Sequence, residues 1–170
     1  SDVCSSDLSK VRATKPVSVV AGNSCAYVPL SIQSCNELLD EQIGRSWWGS
    51  DFFVQPLGNL DSMIEIQLVS DREFYASING SLQGSTNGRL WAEFFGSAEI
   101  ETFDTKMQPV KAGLVQLTRG SSYSWAGQSD PSMVTILDRS RWCDTLLWYT
   151  PHMVESDLSN FAHWAPIIYP

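Results

Sequence analysis

His152, Glu155, Asp157 and His163 form the one cluster in this chain with metal-ligand chemistry. Two imidazoles and two carboxylates can ligate a divalent ion. Their spacing is not H-E-x-x-H and matches no other strong motif. A solvated loop carrying ordinary polar residues accounts for them, so no metal and no cofactor are expected. Nucleophilic catalysis has as little support. There is no G-x-S-x-G elbow: Gly22-Asn23-Ser24-Cys25-Ala26 lacks the second glycine. A Ser-His-Asp triad would need His152 or His163 as its base, and neither has a context that selects it.

Carboxylate pairs are the remaining route to catalysis. Glu99 and Glu101 fall on one face of a strand, and Glu93 sits on the preceding one. Glu65 has only the amide Gln67 beside it on its face. Two carboxylates about 5–9 Å apart suffice for glycoside hydrolysis. A charged solvent face that discourages edge aggregation explains the same residues more simply. The reading is therefore of a chain that is not an enzyme and has no catalytic residues.

Aromatic residues carry the stronger signal. Seven tryptophans in 170 residues is high, and Trp is enriched at interfaces. Trp47-Trp48-Gly49, followed by Phe52 and Phe53, can be core, a sugar-stacking platform or an interface patch. Adjacent residues on a strand point to opposite faces, so one of the two indoles is expected to be exposed. Trp47, Trp48, Trp91 and Trp125 are the candidate interface or ligand-stacking residues.

The elements that would hold these residues have period two. Ile64, Ile66 and Leu68 alternate with Glu65 and Gln67; Phe74, Ala76 and Ile78 alternate with Glu73, Tyr75 and Ser77. Leu90, Ala92 and Phe94 oppose Trp91, Glu93 and Phe95, and Ile100 opposes Glu99 and Glu101. Such alternation marks half-buried strands of an antiparallel sheet. Ser70-Asp71, Asn79-Gly80, Asn87-Gly88 and Gly96-Ser97 separate the runs as turns. Asn79-Gly80-Ser81 is also a glycosylation sequon, but the turn suffices to explain it. Further strands are expected at 17–20, 26–32, 52–54, 114–118, 133–137 and 142–149. One short helix is expected near residues 35–43: Ser34 and Glu37 fit a capping box, and Gly44 fits its C-cap. The fold class is all-β, an antiparallel β-sandwich or jelly roll with that single helix.

Residues 1–8, Ser-Asp-Val-Cys-Ser-Ser-Asp-Leu, back-translate to a string that resembles the end of a sequencing-library adapter. They are read as an artefactual tail, with the true start and its upstream length missing. Residues 9–104 are then an N-terminally truncated sandwich core. Residues 105–170, richer in Pro and irregular stretches, are its continuation or a small projecting extension. Removing the octapeptide changes the net charge from −8 to 17 acids against 11 bases, or −6. An acidic surface repels phosphate, so nucleic acid would be bound only through a missing upstream arm. No apolar run is long enough to span a bilayer, so no membrane partner is expected. Cys25, Cys35 and Cys143 are left, an odd set at unremarkable spacing, and free buried thiols are expected.

The segment Asn87–Ile100, N-G-R-L-W-A-E-F-F-G-S-A-E-I, is similar to a late-strand signature of small icosahedral RNA-virus coat proteins of the tombusvirus and sobemovirus type. There a glycine turn leads into G-x-L-W-x-E-Y at the end of the jelly-roll shell. The likeness covers about 15 of 170 residues. It departs from that pattern at Ala98–Phe103, which continues as a strand, and in the length that follows. The family's calcium-binding aspartates have no matching motif here. The resemblance implies a viral capsid subunit, located in the virion and acting by homo-oligomeric self-assembly. The alternatives are a carbohydrate-binding β-sandwich module, with Trp47 or Trp48 and Trp125 as platforms, and a fragment of a β-rich glycoside hydrolase using acids such as Glu93 and Glu99.

Overall fold

The computed structural model describes residues 10–28, 35–56, 63–118 and 132–142. Residues 1–8, Trp125, Cys143 and the cluster His152, Glu155, Asp157 and His163 lie outside these segments.

Among the described residues ten strands run in chain order: β1 (Val20–Ala26), β2 (Asn36–Glu41), β3 (Asp51–Val54), β4 (Met63–Val69), β5 (Tyr75–Ile78), β6 (Ser81–Gly84), β7 (Arg89–Phe95), β8 (Ala98–Phe103), β9 (Gly113–Thr118) and β10 (Ser132–Ile136). Two four-stranded antiparallel sheets, ordered β10-β9-β4-β7 and β3-β8-β5-β6, make a sandwich. Their inner faces are the residues that the period of two selects. Ile64, Ile66, Leu68, Leu90, Ala92 and Leu114 of one sheet meet Phe52, Val54, Ala76, Ile78, Ala98 and Ile100 of the other in one core. The strand β9 is an interior member of the first sheet, paired with both β4 and β10.

The turns follow from backbone chemistry. Asn79-Gly80 (φ 47° and 81°) and Asn87-Gly88 (φ 52° and 74°) have positive φ at both central residues, as a type I′ hairpin turn requires. The first joins β5 to β6. The second leads into β7, and Thr86 and Arg89 close it with a pair of backbone hydrogen bonds. The Asn79 side chain also ties the turn to β8, accepting from Glu99 N at 2.9 Å and donating to Ser97 O at 3.1 Å.

The hairpin β1–β2 adds a partial third layer. Leu38 and Val28 pack on Leu117, Val115 and Met133, on the outer face of β9 and β10. Thr135 Oγ1 donates to Glu41 O, and Thr135 N donates to the Asp40 carboxylate, which joins the hairpin to the sheet edge.

Two expectations are corrected here. Residues 36–41 are a strand, not a helix. Burial alternates over residues 37–41, with Leu38 buried between exposed Glu37 and Leu39, which is the period of a strand. A two-turn helix is marginal by itself, whereas β1 supplies an antiparallel ladder from Val20↔Glu41 to Asn23↔Leu38, which shifts register before Ala26↔Asn36. Cys25 and Cys35 are not free thiols: they form a disulfide, Cα–Cα 5.0 Å, at the end of this hairpin. Parity of the cysteine count could not show that two of three would be brought together by a strand pairing.

Candidate functional site

Two short 3-10 turns carry the same sequence pattern, Arg-Ser-x followed by Trp: Arg45-Ser46-Trp47-Trp48 and Arg139-Ser140-Arg141-Trp142. One precedes β3 and the other follows β10. Between them lies a single buried carboxylate. Asp138 caps the second turn, accepting from Ser140 N at 2.8 Å and from the Ser140 hydroxyl. It also accepts from Ser50 N at 2.7 Å and Asp51 N at 2.9 Å at the start of β3. Burial pushes the Asp138 carboxyl up, but the Ser140 hydroxyl and the backbone N–H groups of Asp51, Ser140 and Ser50 outweigh it. The group is held below the ordinary carboxylate value of 3.8.

This node fixes a surface above it. Arg139 Nε donates to Asp51 Oδ1 at 2.8 Å, and another guanidinium nitrogen reaches Glu99 Oε1 at 3.1 Å. The hydrogen bond to Asp51 raises the guanidinium further above its already high value, and Glu99 adds to it. Arg141 lies over the Trp47 ring, 5.3 Å from its centroid, and donates to Ser46 O. That geometry is a cation–π contact. Trp142 meets Phe53 edge-on, with centroids 6.4 Å apart. Trp47 and Trp142 remain 51% and 52% exposed. The arrangement offers two indoles and a guanidinium held in fixed positions, beside Arg139 bridging two acids. Among the described residues, no group of three or more His, Cys, Asp or Glu is placed to hold a metal.

The four tryptophans singled out from sequence separate. Trp47 is in this surface. Trp48 is half-buried, and its indole lies so close to Gly113 that a Cβ there would come within 2.9 Å of Nε1. Trp91 is exposed on the outer face of β7, at the other end of the sheet from β10. Trp125 lies outside the described residues. The pair Trp47-Trp48 does divide into an exposed and a half-buried indole, but the two sit in and just after a 3-10 turn rather than on a strand.

The carboxylates separate too. Glu99 and Glu101 share the outer face of β8, where Glu99 is engaged by Arg139. Glu93 is on the outer face of β7 and pairs across the ladder with Glu65. Glu93 and Glu99 therefore belong to the outer faces of different sheets, with the core between them. Sequence reasoning missed Asp138, Arg139, Arg141 and Trp142 as a group. The repeated Arg-Ser-x-Trp pattern was the available signal.

A family model described as IgGFc binding protein matches residues 5–164, and the chain belongs to that family. No curated protein matches the chain, and no solved structure matches it. The family assignment overturns the viral coat-protein reading and the virion setting that depended on it. The likeness at residues 87–100 has a general cause. An Asn-Gly turn followed by a strand with Leu90 and Ala92 buried and Trp91 and Glu93 exposed is a device of antiparallel sandwiches at large. The match also takes in Ser5–Leu8, half of the octapeptide set aside as an artefact.

Proposed function

We propose that this member of the IgGFc binding protein family acts by recognition rather than by chemistry. It is read as a β-sandwich module that binds a protein partner through the surface of Trp47, Arg141 and Trp142. The observation that carries this reading is the Trp47–Arg141 stack, exposed and anchored from beneath by Asp138. Trp and Arg are among the residues most enriched at interface hot spots, and holding them in place before binding lowers the ordering cost of association. The Cys25–Cys35 disulfide supports work in an oxidising compartment outside the cytosol.

The family's description makes the Fc region of immunoglobulin G the first ligand to test. In a surface-binding assay, Trp47→Ala and Trp142→Ala are expected to weaken Fc binding about tenfold to a hundredfold each. Arg141→Lys keeps the charge but loses the planar stack, and is expected to weaken it less. Fc binding that is unchanged in all three variants would move the site elsewhere. No Fc binding by the intact chain would remove Fc as the partner.

A carbohydrate platform is the second reading, since two exposed indoles lie beside Asp51, Glu99 and Arg139. Arg141 already covers one face of the Trp47 ring, which leaves less aromatic surface for a sugar. A glycan array read with the same variants separates the two readings.

A further inference from the structure

The outer edge of β7 is a second surface, at the opposite end of its sheet from β10, which leads into the Trp142 turn, and its backbone phase can be read. Ser70 N donates to Gly88 O at 2.8 Å, so Ser70 and Gly88 are a hydrogen-bonded pair of the β4–β7 ladder. Hydrogen-bonded pairs recur every second residue. Leu90, Ala92 and Phe94 therefore turn their amide groups toward β4, opposite Leu68, Ile66 and Ile64. Trp91, Glu93 and Phe95 turn theirs to the free side. Arg89 fits this phase, since its N–H and C=O bond Thr86, away from β4. β7 ends the sheet order, and no described strand pairs with its far edge.

The same three residues project their side chains onto the outer face. Trp91 is 54% exposed and Phe95 is 69% exposed. The hairpin β1–β2 covers that face only over β9 and β10. Between the two aromatics stands Glu93, with Glu65 as its direct cross-strand neighbour. Like charges in directly opposed positions are unfavourable, and no ion pair among the described residues engages either one.

We infer that β7 receives an extended peptide segment of a partner as a fifth strand, and that this segment carries Lys or Arg flanked by apolar residues two positions away on each side. Main-chain groups of Trp91, Glu93 and Phe95 would supply the ladder, the mode by which sheets commonly take peptides. Side chains on one face recur every second residue. A cation opposite Glu93 thus brings the apolar residues onto Trp91 and Phe95, and it relieves the Glu65–Glu93 repulsion. A second copy of this chain is the poorer occupant. Antiparallel pairing that sets Trp91 on Phe95 of the copy also sets Glu93 on Glu93, and each chain carries a net charge of −8.

The test uses capped peptides alternating threonine with valine, lysine and valine, labelled for fluorescence polarisation against the full chain. The lysine peptide is expected to bind at least about tenfold better than its glutamate counterpart, with the gap shrinking in high salt. N-methylation of the peptide amides that face β7 is expected to abolish binding. Glu93→Lys is expected to reverse the preference toward the glutamate peptide. Trp47→Ala is expected to leave peptide binding intact, which separates this site from the one proposed above. The idea is overturned if no peptide binds, if N-methylated peptides bind equally well, if Glu93→Lys keeps the lysine preference, or if sedimentation shows the edge taken by a second copy.

Discussion

The Asp138 carboxylate stands where a side chain on Gly49 would have to be: a Cβ on Gly49 would lie 1.9 Å from Asp138 Oδ2. Gly49 also exchanges backbone hydrogen bonds with Ala112, so it cannot move aside freely. Gly49→Ala is expected to expel the carboxylate, leave the N–H groups of Ser50 and Asp51 short of their acceptor, and cost about 2–3 kcal/mol. Urea unfolding checks this. In an Asp138→Ala background the same substitution is expected to cost much less, a coupling that a double-mutant cycle reads directly.

Asp138 also sets a pH dependence. Its folded pKa lies below the unfolded value near 3.8, so its charged form adds stability that is fully present above that value. The contribution is lost as pH falls through the lower folded value. The stability gap between the native chain and Asp138→Asn should be full at neutral pH and close below about pH 4. A gap that persists to lower pH, measured by urea midpoints, would assign the stabilisation to shape rather than charge.

Reduction should act locally. The disulfide joins residues 10 apart in sequence, a closure worth about 2–3 kcal/mol in the chain-entropy account. Its protection falls on β1 and β2, whose only described apolar anchors are Val28, Leu38 and Ala26. Cys25→Ser is expected to speed amide exchange in those two strands while the ladders of β4, β7 and β9 keep their protection. Uniform loss of protection would mean that the hairpin is integral to the sandwich.

The two Asn-Gly turns should respond differently to the same change. Gly80 (φ 81°) has open space around a would-be Cβ, so Gly80→Ala meets only backbone strain, about 1 kcal/mol. Gly88 (φ 74°) would also bring its Cβ to 2.6 Å from Ser70 O. Gly88→Ala is expected to cost roughly twice as much and to loosen the end of β7. Thermal melts of the two variants rank them.

The sandwich was legible in the sequence wherever one face of a strand is buried and the other wet. Ile64-Glu65-Ile66-Gln67-Leu68 and Ala98-Glu99-Ile100-Glu101 state their faces residue by residue, and Asn79-Gly80 and Asn87-Gly88 state their turns. Asn36–Glu41 was not legible. Its capping-box pattern is a local cue, and the choice of strand is made by β1 and the disulfide, which are contacts at a distance. The site was half legible. Trp47 announced itself by composition, but its partner Arg141 lies 94 positions away, linked to it in sequence by the repeated Arg-Ser-x-Trp pattern alone. Nor does composition reveal that Trp91 lies on the outer face of β7 while Trp47 lies in the 3-10 turn before β3.

Because the Trp47–Arg141 stack is assembled from two Arg-Ser-x-Trp turns at opposite ends of the sandwich sequence, neither turn alone holds the surface. A peptide copied from either stretch would present half of it. A chain that has not yet folded presents none of it in register. Engagement of a partner through this surface would therefore report that the whole barrier to folding has been crossed, so that binding is itself a check on the integrity of the copy that binds.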